Sequence, residues 1–234
     1  MVNYTQAEQR LTDALGLARR PVAIAFHDTP PSGVAKFEGT QPSSCSFWRL
    51  AADGRSFYTV PADHYNCPVG SYTHNIPLPP DREPELMQTL SLMSDIGYIR
   101  MEEVPSVPRL PQTPAALVYA PLGDTVVDPD VVLVSGKPAG LMLLLEAAAR
   151  AGQPAAPLLG RPTCMAIPAA AGGGGVASSL GCVGNRIYTG LADDEFYTVI
   201  AGKALAAIVE QLATIQGANA ALTEYHQGRR AAIG

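Results

Sequence analysis

A chain of 234 residues, 47% hydrophobic and 16% charged, can bury one substantial core and is too apolar to remain disordered. Its net charge of -5 offers no basic footprint for nucleic acid or for an anionic membrane surface. No long polar linker divides it, so residues 1–234 are expected to form a single domain, with a tail after about residue 217 lying at its periphery.

The first ten residues, Met1 to Arg10, lack a basic segment followed by an apolar one and do not read as a signal peptide. The longest apolar run, Leu141 to Ala149, is interrupted by Glu146 and is too short to span a bilayer. The expected compartment is therefore cytoplasmic. Thiols stay reduced there, and the four cysteines favour metal binding or catalysis over disulfides.

Residues 4–17 read as an amphipathic helix capped by Asn3 or Thr5, with Leu11, Leu15 and Leu17 as its apolar stripe. Pro21-Val22-Ala23-Ile24-Ala25-Phe26 suits a buried strand, and residues 28–44 read as loop. A short helix from Cys45 to Ala52 meets the Asp53-Gly54 turn before a strand over Ser56 to Val60. Residues 61–80, with His64, Tyr65, Cys67, Tyr72, His74 and several prolines, read as a long irregular stretch serving a site. A helix over 83–96, strands at Ala115 to Ala120 and Val131 to Val134, and a buried helix over Lys137 to Ala151 follow.

In the last third, Arg161 to Ala170 is expected to form a short helix entered through Pro162, and the Gly172–Gly175 run a flexible connection or lid. Asp193-Asp194-Glu195 is expected to open a helix, and Lys203 to Ile215 to form the last one, with a frayed tail. These elements predict an α/β fold: a layered single domain with a mixed sheet flanked by helices.

The densest motif is Ser179-Leu180-Gly181-Cys182-Val183-Gly184-Asn185-Arg186. Glycine lacks a Cβ, so Gly181 and Gly184 let the backbone turn tightly and bring its N–H groups close to whatever the Cys182 sulfur holds. Cys67 lies in Asn66-Cys67-Pro68-Val69-Gly70, Cys164 follows Arg161-Pro162-Thr163, and Cys45 follows Ser43-Ser44. None of the four spacings is a C-x-x-C knuckle, so spacing alone leaves a shared thiolate site and scattered core thiols both open. His64 and His74 flank Cys67, as ligands, as acid or base groups, or as plain loop residues. The motifs of P-loops, dinucleotide folds, serine hydrolases and zinc proteases are missing from the sequence.

Taken in this order, the four cysteine neighbourhoods resemble the DUF169 family. The likeness rests on Pro21 to Phe26, Cys45, Cys67-Pro68-Val69-Gly70, Tyr119-Ala120-Pro121-Leu122, Cys164 and Leu180-Gly181-Cys182-Val183-Gly184-Asn185-Arg186. Ala25 and Ser46-Phe47-Trp48 depart from the family pattern. The resemblance implies that Cys45, Cys67, Cys164 and Cys182 form one metal site. Thiolates suit zinc or an iron–sulfur cluster; the proline after Cys67, the glycines at 70, 181 and 184, and Arg186 as a counter-charge tilt the choice to a cluster, 4Fe-4S, with zinc as the alternative. The expected function is that of an iron–sulfur oxidoreductase or lyase acting on a small molecule or with a redox partner, either alone or as a homo-oligomer. Its candidate catalytic residues are His64, His74 and Arg186. The competing expectation is a non-enzymatic zinc- or ligand-binding module. Arg186 also has a structural alternative, pairing with Asp193 or Asp194.

Overall fold

A computed structural model of the chain describes residues 2–157 and 160–233. Six strands form one sheet: β1 (Val22–His27), β2 (Phe57–Thr59), β3 (Ala116–Pro121), β4 (Val131–Gly136), β5 (Val176–Ser179) and β6 (Phe196–Ala201), in the order β2-β3-β1-β4-β6-β5. Every pairing between these strands is antiparallel. Parallel pairing is confined to the isolated bridges Lys36↔Tyr58 and Ala155↔Val176, so the mixed character expected of the sheet is marginal.

Alternation along the strands sorts the side chains between two cores. Ala23, Val132, Val134 and Ile200 face α1 (Tyr4–Leu15), α5 (Pro138–Arg150) and α8 (Gly202–Ile233), where they meet Leu11, Leu15, Leu141, Leu144 and Leu205. Val22, Ile24, Leu117, Tyr119, Leu133 and Val199 point the other way. On that second face they pack against Phe47 and Trp48 of α2 (Ser46–Ala52) and Ile167 of α6 (Ala166–Gly173). Both faces are thus covered, which is why β1, β3 and β4 read as unbroken apolar runs. Cys45 and Cys164 belong to the second core.

Two further helices complete that side, α3 (Pro68–Thr73) and α7 (Val183–Thr189), while α4 (Pro84–Asp95) lies beside α3. Asn3 caps α1 by accepting from the Gln6 N–H at 3.0 Å.

Four expectations are corrected. Residues 61–80 are not one irregular stretch: Pro61–His64 is a 3₁₀ turn, α3 follows, and His64, Ser71, Thr73 and His74 are buried. Gly172 and Gly173 end α6, Gly174 caps it at φ 73°, and β5 follows, so the glycine run is a helix stop rather than a lid. Asp193 to Glu195 precede β6, not a helix; the aromatic and β-branched run Phe196-Tyr197-Thr198-Val199-Ile200 outweighs the acidic start. The final helix continues without fraying to Ile233, although its buried residues end at Leu212. Among the described residues no helix is long and apolar enough to cross a membrane.

Candidate metal centre

The elements of the second core bring the cysteine segments together from four places in the sequence. Cys45, Cys67 and Cys182 occupy the N-cap positions of α2, α3 and α7, and Cys164 sits in the 3₁₀ turn Thr163–Met165 that leads into α6. None of the three caps is filled by a side-chain hydrogen bond. Backbone N–H groups at helix starts carry partial positive charge.

All four cysteines are free. The Ser43 hydroxyl lies 3.0 Å from the Cys45 sulfur and 3.5 Å from the Cys67 sulfur, so one side chain bridges the two. The Cys182 N–H donates to Thr163 Oγ1 at 2.6 Å, which ties the Cys182 segment to the residue before Cys164. Burial pushes the Cys45 thiol up to about 12; the Ser43 hydroxyl opposes this, and the charges of Cys67 and Cys182 add to it. Burial likewise lifts Cys164 well above the ordinary thiol range, reinforced by Cys67, Cys182 and Cys45 and eased by Thr73. The four sulfurs therefore stand within one another's fields, two deeply buried and two partly exposed. Among the described residues no three His, Cys, Asp or Glu side chains converge closely enough to hold a single metal ion.

Gly70 shows how tightly this corner is built. A Cβ there would stand 2.5 Å from Ser44 Oγ and 2.8 Å from the Cys67 sulfur. Gly181 takes φ +85°, and a Cβ on it would press on Leu191 at 3.0 Å. Gly184 is different: its missing Cβ would meet only the Tyr188 ring, at 3.6 Å.

His64 is wholly enclosed between Thr59 Oγ1, 2.8 Å from Nε2, and Ser44 Oγ, 3.0 Å from Nδ1. Thr59 donates to the Leu117 carbonyl, so it accepts from Nε2–H and leaves Nδ1 to accept from Ser44. Burial holds His64 well below the ordinary histidine range, and His74 adds to this. His74 places Nδ1 2.8 Å from the Gly70 carbonyl, so Nδ1 carries the proton and the buried Nε2 is a bare acceptor without a partner. Burial lowers its pKa also.

Arg186 turns away from the thiols. Its guanidinium donates to the carbonyls of Leu180 (2.5 Å), Ala192 (2.6 Å) and Glu195 (3.1 Å), with Asp193 at 3.9 Å. The arrangement fastens the α7–β6 connection to the Cys182 loop, the structural alternative weighed from the sequence but made mainly through carbonyls.

One group of buried polar side chains in this half carries no signal in the sequence. Ser46 Oγ, Trp48 Nε1, Tyr119 Oη and both amide atoms of Asn185 are buried in this half of the molecule without hydrogen-bond partners. Tyr119 and Asn185 act on the cysteines or are acted on by them: the charges of Cys45 and Cys164 help burial raise the Tyr119 hydroxyl, and the Asn185 amide eases ionisation of Cys45. Unsatisfied buried groups are rare in folded proteins, and a cluster of them marks a place where another group belongs. Soft thiolates with the Asn185 amide and the Tyr119 hydroxyl near them fit an iron–sulfur cluster, whose sulfides are acceptors.

Fold and site together define a layered α/β protein whose four dispersed cysteine segments gather on one face of an antiparallel sheet, three of them at helix N-caps and the fourth in a 3₁₀ turn. The chain belongs to the DUF169 family (Uncharacterised ArCR, COG2043), whose profile matches residues 10–211. No curated protein and no solved structure matches it.

Proposed function

We propose that Cys45, Cys67, Cys164 and Cys182 hold an iron–sulfur cluster, 4Fe-4S in type, and that the protein uses it in redox or cluster-assisted chemistry on a small molecule or with a redox partner. The observation that supports the reading is that the four free thiols lie near enough to act on one another's ionisation, with Ser43 bridging Cys45 and Cys67. Zinc on the same thiolates is the alternative occupant, and acid-labile sulfide analysis separates the two.

When bound, such a group supplies an electron store, or a Lewis acid where one iron lacks a protein ligand. The chain's own residues supply the rest. Phe47, Trp48 and Tyr119 shield Cys45 and Cys164 from water, Ser43 orients Cys45 and Cys67, and the Thr59-His64-Ser44 line fixes the floor beneath Cys67. His74 presents an unprotonated Nε2 inside the same wall, the better placed of the candidate acid–base groups.

Cys67→Ser and Cys182→Ser test the shared site, because serine is a harder ligand with a far higher pKa. Each is expected to lose most of the bound iron. Full iron occupancy in both variants would rule the reading out.

A further inference from the structure

Asn185 is only 2% exposed, yet neither its amide nitrogen nor its amide oxygen has a partner. An amide buried with nothing to bond forfeits its hydration without return. Both polar neighbours are engaged elsewhere: the Cys45 sulfur with Ser43 at 3.0 Å, and the Tyr197 hydroxyl with Thr189 Oγ1 at 3.1 Å. The amide lies near enough to both to favour their charged forms but bonds neither. On its other side is the Gly181 turn, where a Cβ would stand 3.4 Å from Asn185 Oδ1. The amide therefore lies between the Cys182 loop and the Cys45 sulfur, where two of the four thiol segments meet.

We infer that Asn185 is a binding residue kept for the occupant of the four-thiol site, its Nδ2–H donating to an acceptor atom of that occupant. The chemistry of the occupant, sulfide or bound thiolate sulfur, rests on the function proposed above. The lack of a partner for the buried amide is observed apart from that reading. Donors aimed at cluster sulfurs stabilise the more negative oxidation state and slow loss of the cluster. Asn185 thus stabilises the loaded protein and weakens the empty one.

The opposed signs make the test decisive. Asn185→Leu keeps the branching and heavy-atom count of the side chain and removes both polar atoms. In the reduced, metal-free protein it is expected to raise Tm by about 2–4 °C, since an unsatisfied group is gone. In anaerobically reconstituted protein, the same variant is expected to lose its cluster to EDTA about tenfold faster, the weight of one hydrogen bond to a charged acceptor. Asn185→Asp, nearly isosteric but acidic, is expected to lose it at least as fast, which guards against a folding defect particular to leucine. A fall in the metal-free Tm of Asn185→Leu, or unchanged chelation rates in both variants, overturns the inference. If the wild-type protein assembles no cluster, the proposed function fails by itself. The metal-free Tm still decides the role of Asn185: a rise retains it as a group held for another acceptor-bearing occupant, and a fall returns it to packing.

Discussion

Two glycines beside the thiols permit a matched experiment with one substitution. At Gly70, a new Cβ would lie 2.5 Å from Ser44 Oγ, 2.8 Å from Ser44 Cβ and 2.8 Å from the Cys67 sulfur. Ser44 is buried and bonded to His64 at 3.0 Å, so it yields only by disturbing that bond, and the Cys67 side chain must move as well. Overpacking of this kind costs about 1–3 kcal/mol, against roughly 0.5–1 kcal/mol that alanine gains over glycine inside a helix. Gly70→Ala should lose about 1–2 kcal/mol, a fall in Tm of about 2–8 °C for a chain of this size. At Gly184 a new Cβ meets only the Tyr188 ring at 3.6 Å, an ordinary contact. Gly184→Ala should therefore gain up to about 1 kcal/mol. Thermal unfolding of the two variants in parallel, with iron content measured on each, separates the cases. Gly70→Ala is expected to unfold earlier and to retain little iron, Gly184→Ala to unfold later and to retain it. A Gly70→Ala protein with wild-type Tm and iron content would refute the account of how Cys67 is positioned.

Two more expectations concern side chains singled out in the sequence. His64 and His74 are buried with lowered pKa values, so the unfolded chain takes up protons that the folded chain refuses; their stabilisation is complete above about pH 6.5 and is lost as pH falls below it, by at most ~1.4 kcal/mol per pH unit for each histidine. Denaturant titration of the metal-free protein at about pH 7.5 and 5.5 should show this slope, roughly halved in His64→Gln; an unhalved slope would remove His64 as its source. Arg186→Ala should cost about 1–3 kcal/mol through its lost carbonyl bonds while leaving the cluster's midpoint potential unchanged; a shifted potential at wild-type stability would return Arg186 to the site.

Much of the layered architecture was legible because β1, β3, β4 and α5 carry their own signals: unbroken apolar runs for strands covered on both faces, and a long apolar helix bounded by Pro138 and Gly152. The sheet's far edge was not. Val176 to Ser179 is short and hidden behind glycines, and β6 follows an acidic triplet that locally favours a helix start. The strand is decided instead by its antiparallel pairing with β4 and β5, a contact no local window contains. The cysteine segments stood out through their glycine and proline neighbours. Ser43, Tyr119 and Asn185 did not, since serine, tyrosine and asparagine are common everywhere and acquire meaning here only from their burial beside sulfur. Arg186 was conspicuous for the wrong reason: its place after Gly184 suggested a charge for the site, whereas tertiary contacts engage it with carbonyls.

The central claim is that four cysteines from four segments hold iron and sulfide together. Its most direct test is elemental and acid-labile sulfide analysis of anaerobically purified protein, read with its absorbance spectrum. The account predicts brown protein with broad absorbance at about 400 nm and iron and sulfide in equal amounts. Colourless protein carrying stoichiometric zinc and no sulfide would contradict it.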